Sequence, residues 1–466
     1  MNTKYRNLFT DTLIFAIGEM GSKLIMFLLV PLYTNCLTVE EYGVAELIST
    51  FSTLLIPVTT LSIASAVIRF GMMKDEKREN VAVASFVIIC FSVIATVILV
   101  HVLGIYQPVQ AYLGYLCIKV ITSNISIVEK TYLKTKNRNR AYAVISISQT
   151  AVLALTNIVM LTFCRMGVDG YLTANVLSSL TGALLAFFCC NLYSDLRKGH
   201  FDSSLLRRMV SYSAPLIFSD VSWWILHSSD KIMIELMLSS SALGIYTVAT
   251  KIPLLINVVT SIFNQAWAIS AIKEVETSEE SGFHNSVYRL FSTAIFGACI
   301  VLIILIEPFM NIYVGDSFKD AWVYTPLLLA AAVYYSLTTF LGSLYVAKKK
   351  SRNDMLTTLM CALINIIINY FGIRIMGIWG AVLGTFVAYF VCAFVRLFDI
   401  KRIMRFEIGI SYWLNSAILI IQAVAVSLKW HPYLISSFVC IMFVAVNRKE
   451  IKLVLNKISK LPLIRK

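Results

Sequence analysis

Along most of this chain the apolar residues do not alternate with polar ones at the period of a strand or of a surface helix. They run together in long stretches broken by short polar segments. Residues 81–103 carry no charge other than on His101, and residues 290–306 are uncharged throughout. An apolar run of ~18 residues or more is the length that crosses a bilayer as a helix. The runs place about fourteen spans, the first six near 10–34, 42–70, 81–103, 107–132, 141–165 and 170–194. Six more lie near 209–237, 243–271, 288–310, 321–347, 355–374 and 377–400, and a last pair near 409–429 and 431–447.

Two short motifs recur at matching places between these runs. Leu37-Thr-Val-Glu-Glu-Tyr-Gly43 returns as Leu238-Ser-Ser-Ser-Ala-Leu-Gly244, an offset of 201. Met166-Gly-Val-Asp-Gly170 returns as Met376-Gly-Ile-Trp-Gly380, an offset of 210. Each half then holds six spans, an even number, so the halves share one orientation and form a parallel repeat about an axis along the membrane normal. The expected fold is all-α and polytopic: an N-lobe over 1–200, a C-lobe over 201–405, and an extra helix pair with a basic tail over 406–466. Membrane proteins built from two like halves are usually transporters, with the site between the halves.

Composition supports the class. Of 466 residues 58% are hydrophobic and 14% charged, more apolar surface than a soluble chain of this length can hide. No small-residue cleavage site follows a short apolar core, so the first helix is expected to stay in the mature protein. Nine of the ten cysteines lie in or at the ends of apolar spans and Cys36 sits just past the first, with no Cys-x-x-Cys, and the five histidines are scattered; neither a disulfide framework nor a metal site is expected. No phosphate-loop motif for ATP hydrolysis is present, and no cofactor is expected.

Charge sets the orientation. Lys74, Lys77, Arg78, Lys134, Lys136, Arg138, Arg140, Arg197, Lys198, Arg207 and Arg208 fall on one side with Lys4 and Arg6. The same side takes Lys348, Lys349, Lys350, Arg352, Lys401, Arg402, Arg405 and the tail from Arg448, whereas the other holds only Arg165, Lys319, Arg374 and Lys429. Loops rich in Lys and Arg stay in the cytoplasm, so both termini are expected there. The net charge of +14 is this signal plus attraction to anionic lipid, and calls for no nucleic acid partner.

Ionisable residues inside spans are costly and mark function by default. Glu19 and Lys23 share a face four residues apart, and read equally as a self-neutralising pair or as part of a lumen. Lys119 lies near the middle of its expected span, with Thr122, Ser126 and Lys130 along its stripe and no acid within a turn. Asp220, Trp224, His227, Lys231 and Glu235 follow helical spacing, with Trp223 and Asp230 beside them. Lys251 precedes Pro253. Arg69, Lys130, Arg396 and Asp399 are expected to snorkel to the cytoplasmic interface. If Lys23, Lys119, Lys231 and Lys251 face one space, that space is cationic and suits a phosphate-bearing ligand. Glu19, Asp220 and Asp230 are the candidates for coupling to an ion.

The stretch Asp230-Lys231-Ile-Met-Ile-Glu-Leu-Met-Leu-Ser-Ser-Ser-Ala-Leu-Gly244-Ile-Tyr246-Thr-Val-Ala249-Thr-Lys251 resembles a signature of polysaccharide flippases, and Leu37–Gly43 resembles its counterpart in the first half. These flippases form the polysaccharide branch of the multidrug/oligosaccharidyl-lipid/polysaccharide exporter superfamily. The resemblance spans roughly residues 1–405. It implies two six-helix lobes about a central cavity in a bacterial inner membrane. It also implies transport of polyprenyl-diphosphate-linked oligosaccharide repeat units, for O-antigen, capsule or exopolysaccharide, to the outer leaflet. Fourteen spans also resemble the lipid II flippase branch, where the extra pair helps form a groove for the lipid tail; here that role would fall to 409–447. On this reading the lysines hold the diphosphate, Trp223 and Trp224 stack on sugars, and the protein works beside a polymerase or ligase rather than as an enzyme. The competitors are a multidrug or cation antiporter of the same superfamily, which the lysines oppose, and a polysaccharide polymerase or ligase. The latter needs an outer-face site, and the longest outer loop, near 311–320, is short for one.

Overall fold

The computed structural model describes residues 21–73, 75–274, 280–450 and 452, and among these there is no strand. Residues 21–28 are helical and lead into α1 (Val30–Cys36), α2 (Val39–Thr59), α3 (Ile63–Gly71), α4 (Arg78–Leu103), the single turn α5 (Gln107–Gln110) and α6 (Leu113–Thr135). Next come α7 (Asn139–Ile158), continued by a π-helical turn at Val159–Phe163, then α8 (Gly167–Cys190), α9 (Leu192–Lys198) and α10 (Ser203–Met237). The chain goes on through α11 (Ser240–Glu274), α12 (Glu280–Tyr313), a 3-10 segment at Asp316–Tyr324, α13 (Thr325–Ala347), α14 (Ser351–Met376), α15 (Ile378–Ile403), α16 (Ile410–Ser427) and α17 (Pro432–Val446).

The protein is an all-α, polytopic membrane protein. Among the described residues ten helical segments are long and apolar enough to cross a membrane. The other expected spans fall short of that standard for physical reasons. The helix α6 carries Lys119, Glu129, Lys130 and Lys134, and α10 carries Asp220, Asp230, Lys231 and Glu235. The helix α17 has 15 residues. The first span begins outside the described residues, as does Glu19.

The missing amphipathic period has a cause in the packing of α4. Its outward face exposes Phe86, Phe91, Ile94, Ile98 and Val102, while Val81, Ala84 and Ile88 are buried. Both faces are apolar, one toward lipid and one toward protein. The small polar residues also turn inward: Ser85, Ser92 and Thr96 are buried and return their hydroxyls to the carbonyls of Val81, Ile89 and Ser92. Helices in lipid pack through such small residues because apolar surface alone gives no preference for protein over lipid.

Two expected spans are interrupted. Span 42–70 divides into α2 and α3, with Leu61 and Ser62 both left-handed at φ 53° and 51°. The Ser62 amide donates back to the Pro57 carbonyl (3.0 Å) in the six-to-one bond of a Schellman closure. Span 107–132 divides into α5 and α6.

By packing, the chain forms two compact units, Met1–Gly244 and Ile245–Lys466. The helix α10 packs on α2, α3 and α4 and so belongs to the first unit. The compact unit therefore ends past residue 200, where the sequence repeat divides.

The repeated motifs are repeated local structures. Thr38 caps α2 through a reciprocal pair: the Glu41 amide donates to the Thr38 hydroxyl (3.2 Å) and the Thr38 amide donates to Glu41 Oε2 (2.8 Å). Ser239, which stands 201 residues on, caps α11 by accepting from the Ala242 amide (3.1 Å). A Cβ on Gly43 would strike the Ser240 carbonyl, and a Cβ on Gly244 would strike the Val39 carbonyl. The same offset relates Gly43 to Gly244 and Val39 to Ser240, so the two helix starts cross by a self-complementary contact, as at a two-fold axis. The second motif repeats as backbone: Gly167 and Gly377 take φ +56° and +60°, just before or at the start of α8 and α15.

In the second unit Arg396 is buried rather than snorkelled. It pairs with Asp354 (2.8 Å) and donates to the Thr338 carbonyl and to the Thr357 and Thr358 hydroxyls, in room left by Gly342. Asp399 likewise turns inward, accepting from Tyr345 and Asn353. The C-terminal pair α16 and α17 is joined by Asn415 and Asn447, whose side-chain amides bond in both directions (3.0 and 2.8 Å).

Because backbone lies against both crossing glycines, Gly43→Ala and Gly244→Ala should each cost about 1–3 kcal/mol. Gly114→Ala in α6, with no atom within 4 Å of the added Cβ, should be neutral. Thermal melting of the three variants in detergent checks this; equal melting temperatures would contradict the crossing.

Candidate functional site

In the first unit, polar residues of α2, α6, α8 and α10 converge. Lys231 of α10 pairs with Glu46 of α2 at 2.6 Å. Lys119 of α6 donates to the Ser49 hydroxyl of α2 (3.3 Å) and to Asn175 Oδ1 of α8 (3.4 Å). Glu46 is buried and also acts electrostatically on Lys119, so one carboxylate serves two ammonium groups. Trp224 of α10 donates its indole N–H to the Thr50 carbonyl and the Thr53 hydroxyl, both 3.2 Å away. On α2 the residues 46, 49, 50 and 53 therefore form one polar stripe at helical spacing, and every member of it has a partner.

The site lies at a consistent depth. Glu46, Ser49, Lys119 and Asn175 are six to ten residues from the starts of α2, α6 and α8, and Lys231 is six residues from the end of α10. At 1.5 Å per residue this is ~9–15 Å into the helices, measured from the ends opposite the Lys- and Arg-rich loops. Lys119 is thus in the second turn of α6, not at mid-span, because the break after α5 moves the helix start to Leu113.

A second polar run continues down α6 toward the basic end. The Thr122 and Ser179 hydroxyls are 2.6 Å apart, Gln149 donates to the Ser126 hydroxyl, and Lys130 donates to Gln149 Oε1 (2.8 Å). Lys130 is held between helices rather than snorkelled. The Gln149 amide occupies space that a side chain at 182 would fill, which accounts for Gly182. Thr150 of α7 bonds Ser22 (2.8 Å). The expected stripe of Lys119, Thr122, Ser126 and Lys130 is thus used along its whole length.

The remaining predicted residues are dispersed. Lys23 is exposed, and Lys251 is half-buried in α11 of the second unit. Asp220 is exposed and accepts from the Ser62 hydroxyl at 2.7 Å, which fastens the left-handed Ser62 to α10. Asp230 accepts from the Lys231 backbone amide. Trp223 is 44% exposed, with its ring 5.6 Å from His227, whereas Trp224 is docked on α2. Glu46, Ser49 and Asn175 were not among the predicted residues; the polar spacing on α2 carries the signal for the first two. Glu129, also not predicted, is buried in α6, and among the described residues its Oε2 has no hydrogen-bond partner.

The ion pair gives a quantitative expectation. Glu46→Gln leaves two lysines without their carboxylate and should destabilise by about 3 kcal/mol, as should Lys231→Met through the stranded Glu46. The double variant should lose clearly less than the sum. A double-mutant cycle on detergent unfolding reads the coupling, and additive losses would contradict a direct pair.

The model of the family described as Polysaccharide biosynthesis protein matches residues 8–269. A Haemophilus influenzae protein named Lsg locus putative protein 1 is 25% identical over 261 residues, 55% of this chain and 64% of that protein. The chain thus spans somewhat under two thirds of that relative's length. Among solved structures, an inward closed conformation of the lipid II flippase MurJ superposes with a TM-score of 0.70 at 14% identity, covering 94% of this chain and 100% of that one. An outward-facing multidrug resistance transporter described as of the MOP superfamily superposes with a TM-score of 0.61 at 13% identity, covering 86% and 96%. With a helical fold shared with these transporters and a family match over more than half its length, the chain belongs to the polysaccharide biosynthesis protein family.

Proposed function

We propose that the protein is a flippase that carries polyprenyl-diphosphate-linked oligosaccharide repeat units from the cytoplasmic to the outer leaflet by alternating access, for surface polysaccharide synthesis. Family membership supports a role in that synthesis, and the flippase and exporter folds support transport rather than catalysis. Both termini are cytoplasmic in this proposal, because the Lys- and Arg-rich loops fall on one side.

Lys119 carries the choice of ligand. It is half-buried among helices, and its hydrogen bonds to the neutral acceptors Ser49 and Asn175 are longer than a strong charged hydrogen bond. A diphosphate offers a better partner, and desolvated ammonium groups favour it strongly. Glu46 complements this arrangement by keeping Lys119 and Lys231 in place in the empty carrier and lowering the net charge. Binding is then tight enough to extract the headgroup and weak enough to release it. Trp223, 44% exposed, stacks on a sugar in this proposal, while Trp224 holds α10 to α2. The polyprenyl chain remains in lipid. Lys23 and Lys251 are further candidate phosphate ligands, and Asp220 and Asp230 candidate ion-coupling groups.

The leaflet location of polyprenyl-diphosphate-linked glycan in a deletion strain tests the function. Glycan held on the cytoplasmic side with surface polymer lost is the expected result; single units reaching the outer leaflet would place the protein at polymerisation or ligation instead. Lys119→Ala should cut surface polymer about tenfold or more at unchanged protein level, given the value of one charged contact, and Lys119→Arg should retain part of it. Normal polymer from both Lys119→Ala and Lys251→Ala would overturn the cationic site.

A further inference from the structure

The second unit contains an open groove of about 540 Å³ between α14 and α15, lined by Arg352, Asn353, Leu356, Phe394, Phe398 and Arg402 among others. It lies near the start of α14 and the end of α15, where the chain concentrates Lys348, Lys349, Lys350, Lys401 and Arg405. No residue of the Lys119 and Lys231 cluster lines it.

The groove is chemically two-ended. Arg352 and Arg402 are exposed, and among the described residues neither makes an ion pair or a side-chain hydrogen bond. The neighbouring acids are already engaged: Asp354 with Arg396, and Asp399 with the Tyr345 hydroxyl and the Asn353 amide. Asp399 also lines the groove and keeps its negative charge, so two guanidinium groups stand against one carboxylate and the groove is net cationic. Beyond them the wall is apolar and open. Leu356, Phe394 and Phe398 are 48%, 37% and 45% exposed, on helices apolar enough to lie in a membrane. The Phe394 ring is braced edge-on by Trp413 of α16, with centroids 5.3 Å apart.

Planar guanidinium groups at the end of a membrane helix match a phosphodiester, and the exposed apolar wall matches an acyl chain. The volume is roughly that of 18 water-sized groups, enough for a headgroup and the beginning of one chain. We propose that this groove is a binding site for an anionic glycerophospholipid of the surrounding leaflet, with the phosphate on Arg352 and Arg402 and a chain along Leu356, Phe394 and Phe398. The ligand is a resident lipid, not cargo. It would fill the gap between α14 and α15 at the basic end of the second unit.

Native mass spectrometry of the delipidated full-length protein, titrated with phosphatidylglycerol or phosphatidylcholine, tests this. The wild type should retain phosphatidylglycerol in preference to phosphatidylcholine, and inorganic phosphate should not displace it. Arg352→Gln with Arg402→Gln should weaken phosphatidylglycerol about thirtyfold, at about 1 kcal/mol for each charge removed. Lys348→Gln with Arg405→Gln removes equal charge outside the lining and should leave affinity nearly unchanged. Leu356→Trp fills the groove while keeping every charge, and should also abolish retention, which guards against a fold defect in the arginine pair. Equal loss from both charge-removing pairs, or full retention by Leu356→Trp, would show diffuse attraction and overturn the site. Displacement by inorganic phosphate would show an anion site with no lipid component.

Discussion

A charge in an apolar bundle must find its counter-charge within the bundle, and Lys231 finds Glu46. The rest of the first unit depends on that pair. It fastens α10, which follows the first six expected spans in sequence, onto α2, where Trp224 adds a tie through Thr50 and Thr53, and Asp220 adds another through Ser62 just before α3. With both partners in place the attraction offsets part of the cost of leaving water; with one removed, the other is stranded in a medium that cannot solvate it. The same carboxylate acts on Lys119, so the pair that assembles the unit also bears on the proposed site. The site is in this sense a by-product of how the helices are held.

The remaining helix contacts obey the same scarcity. Apolar side chains gain nothing by leaving lipid for protein, so specificity comes from small residues and from polar groups without water. The crossing of Gly43 and Gly244 and the Asn415–Asn447 pair are cases of each. So are Gly182, which admits the Gln149 amide, and Gly342, which admits the Arg396 guanidinium. Within the first unit, Gly43 and Gly244 meet backbone at residues related by the same offset that the sequence motifs show.

Much of this was legible in the sequence. Apolar runs mark the helices, and the spacing of Lys119, Thr122, Ser126 and Lys130 marks a stripe that the structure uses throughout. The partner of Lys231 was not legible, because Glu46 lies 185 residues away and helical periodicity reports the faces of one helix, not which helix it meets. For the same reason Arg396 read as an interfacial residue: its acid, Asp354, is on the preceding helix at a distance only packing determines. The breaks at Leu61–Ser62 and after α5 were hidden by residues without glycine or proline at the bend itself. The resemblance of the 230–251 stretch identified the family, but its residues divide between the two compact units, so the motif alone does not define one site.

In the proposed function, a cationic site centred on Lys119 and Lys231, poised by Glu46, recognises a diphosphate. Binding of a short-chain polyprenyl diphosphate, its monophosphate and the free polyprenol to the purified protein tests it most directly. Affinity is expected to fall in that order by about tenfold or more per step, with the diphosphate preference lost in Lys119→Gln. Equal affinity for diphosphate and polyprenol, or an undiminished preference in Lys119→Gln, would contradict it.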